Sequence, residues 1–387
     1  MIWKLLLLLV LLAAMWLGDP ASAQTLSSAN VVPLRVRTPH SGFNRLVVSI
    51  TLCEPGTDRC ATVDDIMVDT GSTGLRLEAS ALPSEFRLPP FLGPDGKSLA
   101  ECLRFVHDDA WGPLFRADLR IGGMTVPGLP IQIIADDPRP CPDGCPISTA
   151  KPTSNGTLGI GPHLLDCQGD CLQDPSRPGV FEQEGGSWRP IRGSVPAASR
   201  LPNPISLFPN HRNGVVFDLP AVPARDTNEI VGTLTFGVGD AANNGIGDAR
   251  IVRMDENGLF TTLYGTAAFA ASYIDSGTET YILADDHLPR CAGMSWAFCV
   301  SPERTFAATM VGFDGMHVPI TFKVGDYRSA LDHHVGAWDG FAEAANALSQ
   351  AFVWGAPLFL GRRIALVFDG MEVDGLKRTQ GPLYAFP

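Results

Sequence analysis

The chain has 387 residues, 45% of them hydrophobic and 18% charged, with a formal net charge of −12. That composition excludes wholesale disorder, and without a basic stripe it excludes a nucleic-acid partner, because phosphate binding needs clustered Lys and Arg. Its 40 glycines and 32 prolines favour many short strands joined by turns over long helices.

In chain order, residues 1–23 read as a signal peptide. Lys4 supplies the positive end, Leu5 to Leu12 form an apolar core that continues through Met15 and Trp16, and Ala21-Ser22-Ala23 forms a small-residue cleavage site ahead of Gln24. The alternative, a membrane anchor, fits less well because the apolar run is short and stops at Gly18-Asp19-Pro20. No Cys sits at the cleavage point, and no later stretch is apolar for long enough to span a bilayer. The expectation is a secreted or periplasmic protein with no stable membrane anchor.

Next come strands and turns. Val47 to Leu52 alternates weakly, and Ile66 to Val68 runs into a Gly-rich turn. Ala117 to Ile121 and Ile131 to Ile134 flank Gly122-Gly123, a hairpin signal; Phe306 to Phe313 and Met316 to Val324 flank Asp314-Gly315, a second. Residues 136 to 213, crowded with Pro, Gly, Asn and Ser, read as long surface loops with a few embedded strands. Loop-like composition then gives way to Gly214-Val215-Val216-Phe217, so the spacing sets two lobes, 24–212 and 213–387. Phe341 to Phe352, Ala-rich and free of Pro and Gly, predicts a helix. Ile364 to Phe368 is a further apolar run ending at Asp369-Gly370.

Nine cysteines lie in the mature part. The close pairs Cys53 and Cys60, Cys141 and Cys145, Cys167 and Cys171, and Cys291 and Cys299 suit small-loop disulfides in an oxidising compartment, which leaves Cys102 over. Two of the pairs have spacing that zinc sites also use, and connectivity stays open. Asp332-His333-His334 offers metal-ligand chemistry but reads as solvated surface, so no metal is expected. Gly237-Val238-Gly239-Asp240 lacks the Lys and the helix of a phosphate loop.

The strongest internal signal is a weak repeat. Ile66-Met67-Val68-Asp69-Thr70-Gly71-Ser72-Thr73 and Ser272-Tyr273-Ile274-Asp275-Ser276-Gly277-Thr278-Glu279 each run from an apolar strand into Asp, a hydroxyl residue, Gly and a hydroxyl residue, half the mature chain apart. The pair resembles the duplicated motif of pepsin-like aspartic proteases. Further pieces follow in the order of that family. Leu158-Gly159-Ile160-Gly161 and Val353-Trp354-Gly355-Ala356 resemble the two apolar–apolar–Gly segments that thread beneath the catalytic loops, and Gly232 to Gly237 resembles the opening strand of the second lobe. Val68 to Leu77, Trp111-Gly112-Pro113 and Asn203-Pro204-Ile205 also resemble a proteobacterial family of exported proteins known only as a domain of unknown function.

The resemblance implies an all-β, bilobal, pepsin-like double-barrel fold with Asp69 and Asp275 facing across an interlobe cleft. It implies a monomeric endopeptidase that acts on peptide or protein substrates through an activated water and needs no cofactor. Thr70 and Ser276 would brace the two loops, Gly71 and Gly277 would allow the tight turns, and Ser72 and Thr278 would bond the outer carboxylate oxygens. Two carboxylates this close share a proton, so one oxygen can act as base while the other carboxyl acts as acid. The chain departs from the family at three places. The expected flap, between Arg104 and Arg116, has no Tyr; Trp111 is its nearest aromatic, either as a flap residue or as a packed Trp. Arg76 stands where Trp is frequent, either altering the cleft or lying on its surface. Between Gln24 and Arg45 there is little room for a basic pro-segment. These departures sustain an alternative, a catalytically silent binding protein of the bacterial envelope on the same scaffold.

Overall fold

The computed structural model describes residues 29–387, apart from 39, 41, 106–108, 136–144, 146–151, 168–178, 224–226, 346–348 and 374–379. The expected signal peptide lies outside the described residues. The first half contributes β1 (Val31–Arg37), β2 (Arg45–Cys53), β3 (Cys60–Asp69), β4 (Thr73–Glu78), β5 (Leu99–Arg104), β6 (Asp109–Ile121), β7 (Met124–Ile134), β8 (Gly156–Ile160), β9 (Val180–Glu184) and β10 (Ser187–Pro190). The second contributes β11 (Gly214–Asp218), β12 (Ile230–Phe236), β13 (Arg250–Arg253), β14 (Phe260–Tyr264), β15 (Ala267–Ile274), β16 (Tyr281–Leu283), β17 (Arg290–Cys291), β18 (Met294–Val311), β19 (His317–Asp326), β20 (Ala342–Ala344), β21 (Val353–Trp354), β22 (Arg363–Val367) and β23 (Leu383–Phe386).

The weak sequence repeat becomes a repeat of topology. In the first half β2, β3, β8, β4, β7 and β6 pair in that order, and β6 returns to β2 to close a six-stranded barrel. In the second half β14, β15, β21, β16, β20 and β18 pair in that order, and β18 returns to β14. The directions match step for step. β3–β8 and β15–β21 are parallel, β8–β4 and β21–β16 antiparallel, and β4–β7 and β16–β20 parallel. Closing a sheet on itself removes its edges, and the fold is all-β with two such rings.

Between the rings runs an antiparallel sheet in the order β1, β12, β11, β22, β23, β13. Strand alternation gives it two buried faces. Val215, Phe217, Ile364, Leu366, Tyr384 and Phe386 point into the main core, while Val216, Ala365, Val367, Leu383 and Ala385 close a smaller cluster with Val238 and Ile246. Because β1 belongs to the first half and pairs with β12 of the second, the halves share this sheet.

Both expected hairpins form. Gly122 and Gly123 join β6 to β7 with φ of 52° and 71°, the left-handed pair that a two-residue turn needs, and Asp314-Gly315 joins β18 to β19. The helix expected over 341–352 does not. Ala342–Ala344 is strand β20, closing the second ring, and Phe341 is buried, stacked on Phe43 and edge-on to Tyr327. Here tertiary burial overrides the helical preference of alanine. Among the described residues the α-helix is Tyr327–Asp332, and no helix is long and apolar enough to cross a membrane.

Three disulfides are described: Cys53–Cys60, Cys291–Cys299 and Cys102–Cys145. Cys167 is also disulfide-bonded. The zinc reading of Cys145 is thereby set aside. The third bridge corrects the pairing of Cys145 with Cys141 and the leftover status of Cys102. Cys102, buried on β5, meets Cys145 across a sequence separation of 43, a proximity that sequence distance hides. Non-reducing peptide mapping is expected to recover Cys102 linked to Cys145. Replacing both with Ala frees a loop of sequence separation 43, and denaturant unfolding is expected to show a loss of about 3–4 kcal/mol.

Candidate active site

Each motif is built the same way. Ile66 and Val68 are fully buried on β3, and the strand ends at Asp69; Ile274 is buried at the end of β15, and Asp275 follows. β8 then threads between β3 and β4, and β21 between β15 and β16. The threading strands come so close to the turns that only glycine fits. A Cβ on Gly159 would stand 2.8 Å from Gly74 O and 2.9 Å from Ser72 Oγ, and one on Gly355 would stand 2.0 Å from Thr280 O.

The structure brings Asp69, Thr70, Gly71, Ser72, Asp275, Ser276, Gly277 and Thr278 together. Thr70 N donates to Ser276 Oγ and Ser276 N to Thr70 Oγ1, both at 3.0 Å. Each hydroxyl also reaches into the other half: Thr70 Oγ1 donates to Ile274 O at 3.1 Å and Ser276 Oγ to Val68 O at 2.7 Å. Gly71 N and Gly277 N donate to Oδ1 of Asp69 and Asp275 at 2.7 and 2.8 Å. Ser72 Oγ and Thr278 Oγ1 donate to the Oδ2 atoms at 2.5 and 2.7 Å. The arrangement is two-fold. A Cβ on Gly71 would meet Asp275 Cγ at 2.7 Å, and one on Gly277 would meet Asp69 Oδ1 at 2.7 Å, so both glycines are required by contact with the opposite carboxyl.

Both carboxyls are buried, Asp69 at 3% and Asp275 at 9% exposure, and their Oδ1 atoms converge on Gly277, 2.7 and 3.1 Å from where a Cβ would stand. Burial, and then the facing Asp69 charge, push Asp275 up to about 7 against the opposing donation from Thr278 and Gly277. Two facing buried carboxyls cannot both ionise easily, so their titration is a property of the pair. Tyr273 beside them is pushed up to about 12 by burial and by both aspartates. Beneath them the buried Tyr384 of β23 donates to Ile274 O at 3.4 Å.

Trp111 takes the packed one of its two readings, and the cleft-or-surface expectation for Arg76 is corrected. Trp111 is a packed residue, 5% exposed, edge-on to Phe181 and Trp188 and clustered with Cys102; burial against β9 and β10 occupies its ring. Arg76 is neither at the cleft surface nor exposed; it is wholly buried, with Nη2 bonded to Glu101 and Asp166. His333, His334 and Asp332 are exposed, and His333 Nδ1 pairs with Ser329 O. Among the described residues the one group of three potential metal ligands is Cys291, Cys299 and Asp326, and its cysteines are joined by a disulfide. Missed from sequence were Arg45 and Glu279. Arg45 of the first half donates to Gly277 O at 3.0 Å and pairs with Glu279 at 2.7 Å, clamping the second motif turn. The available signal was Glu279 directly following the motif, where a charge beside a buried turn calls for a partner.

Folding holds Asp275 protonated more readily than the unfolded chain does. Its contribution to stability is therefore complete below the ordinary value near 3.8 and is lost as pH rises through about 7. Asp275→Asn, which needs no proton, is expected to gain stability relative to the wild type between pH 4 and pH 8, by up to about 4 kcal/mol. Urea unfolding of both proteins at the two pH values checks this; a difference that does not change with pH contradicts it.

The comparisons with known proteins agree with this geometry at the level of fold. A solved aspartic proteinase from Irpex lacteus superposes with a TM-score of 0.56 at 13% identity, covering 92% of this chain and 96% of that one. At that identity the likeness shows a shared pepsin-like fold. No curated protein matches the chain. A family model does match, over residues 26–386, and the chain belongs to that family, described as a protein of unknown function, DUF3443.

Proposed function

We propose that this chain is an exported aspartic endopeptidase in which Asp69 and Asp275 activate water against a peptide bond. The observation that carries the reading is the buried pair of facing carboxyls, each held by the backbone N–H and hydroxyl of its own turn and closed against the glycine of the opposite turn. In this reading one carboxylate takes a proton from water as the water oxygen attacks the peptide carbonyl carbon. The partner carboxyl gives its proton to the carbonyl oxygen. Collapse of the resulting tetrahedral diol breaks the C–N bond, the amine leaves with a proton, and the pair returns to its one-proton state. The chemistry needs no cofactor, and the substrate is a peptide or protein bound between the halves of a monomer. The hairpin of β5 and β6 serves as the flap. Residues 1–23 act as a cleaved signal, and the disulfides suit the periplasm or the exterior.

The packing of Trp111 against Phe181 and Trp188 favours a second reading, in which the same cleft binds peptide without cutting it. One experiment separates the two. Purified mature protein is incubated with a mixed peptide library from pH 3 to 7 beside Asp69→Asn. Cleavage by the wild type alone, inhibited by pepstatin and declining as pH approaches 7, is expected. Folded, disulfide-bonded protein that cuts nothing overturns the protease reading in favour of binding, and cleavage that survives Asp69→Asn overturns the assignment of the pair.

A further inference from the structure

A second set of buried charges stands beside the first motif. Arg76 follows the Asp69 turn on β4 and is 0% exposed; Glu101 lies on β5 at 2% and Asp166 on the segment after β8 at 5%. Arg76 Nη2 donates to both Glu101 oxygens at 3.0 and 2.9 Å and to Asp166 Oδ2 at 3.0 Å. Its Nη1 donates to Thr73 O at 2.6 Å, the residue next to Ser72, which holds Asp69. Leu201 N donates to Asp166 Oδ1 at 2.9 Å, and Gln132 Nε2 of β7 donates to Glu101 O at 2.8 Å. One guanidinium therefore ties together the motif turn, the flap strand β5 and the Asp166 segment.

The charge count is uneven. Among the described residues one buried guanidinium faces two buried carboxylates, so this cluster is neutral only when it also holds a proton. An unpaired buried charge is costly, and breaking one member out of such a set is more costly still. Among the described residues the ionisable groups facing Asp166 are Glu101 from β5 and Arg76 from β4; β7 and Leu201 bring uncharged donors. Burial and the Glu101 charge accordingly hold Asp166 well above the ordinary carboxylate range.

We propose that Arg76, Glu101 and Asp166 are positioning residues that latch β5 to the Asp69 turn when the cluster carries one proton, and release β5 when that proton leaves. The proposal rests on the protease reading for its purpose, since it makes the flap strand orderly in the same acid range in which Asp69 and Asp275 share their proton. Its physical content needs no turnover. Loss of the proton leaves a net negative charge that only loosening of β5, with entry of water, relieves.

Hydrogen exchange of the Leu99–Arg104 amides, corrected for intrinsic rate, tests it at pH 4 and pH 7.5. In the wild type, protection is expected to fall by about tenfold or more on raising the pH. Asp166→Asn, which mimics the protonated residue, is expected to retain its acid-level protection at pH 7.5. Asp275→Asn is expected to keep the wild-type fall, because the proton concerned is not the one in the motif pair. If peptide cleavage occurs, Asp166→Asn is also expected to carry its alkaline limit to higher pH, with the change mainly in KM. Wild-type protection that is the same at both pH values overturns the proposal whether or not any variant folds, and so does a fall abolished by Asp275→Asn. Absence of cleavage together with the expected exchange pattern overturns the protease reading and leaves the latch standing.

Discussion

Two facing carboxylates, both shut away from water, repel strongly unless a proton is shared between them. The fold around Asp69 and Asp275 is arranged to tolerate that pairing. Backbone N–H groups of Gly71 and Gly277 and hydroxyls of Ser72 and Thr278 donate to the carboxyl oxygens. Thr70 and Ser276 each donate into the opposite half. Each half supplies its own carboxyl donors, but neither makes the crossing Thr70 and Ser276 bonds alone, so the pairing depends on both barrels.

Over this two-fold frame the halves are furnished differently. The first half extends its barrel with β5, β9 and β10 and fixes the extension with Cys102–Cys145, the Trp111 cluster and the Arg76 charges. Among the described residues the second half carries at the equivalent place the short β17–β18 hairpin, closed by Cys291–Cys299 and packed on Tyr327 and Trp338. Disulfides thus brace the same hairpin in both halves by different routes, one to a distant loop and one within the hairpin.

Much of this was legible in the residues. The two Asp–hydroxyl–Gly turns after apolar strands, the Gly-bearing threading segments and the two hairpin turns depend on local backbone chemistry, which sequence displays directly. What stayed hidden depends on packing. Alanines after Phe341 look helical until the second ring claims Ala342–Ala344. Arg76 between Leu75 and Leu77 announces a buried charge only if its counter-charges, at Glu101 and Asp166, are known to meet it. Cys145 bonds Cys102 rather than the nearer Cys141, a partner that is its neighbour in space alone. Trp111, adjacent to the expected flap turn, faces inward for the same reason.

The sheet between the barrels has a consequence for how the chain comes to life. β1 pairs with β12, β11 with β22, and β23 with both β22 and β13, and Tyr384 of β23 sits under the aspartate pair. Such distant pairings are slow to close and are made late. A chain emerging from its amino end therefore carries Asp69 through most of its synthesis as a lone carboxylate, without the opposite turn that supplies its partner and without the floor beneath it. Whatever chemistry the pair performs is withheld from every partial chain by topology itself, a form of temporal control that requires no removable segment.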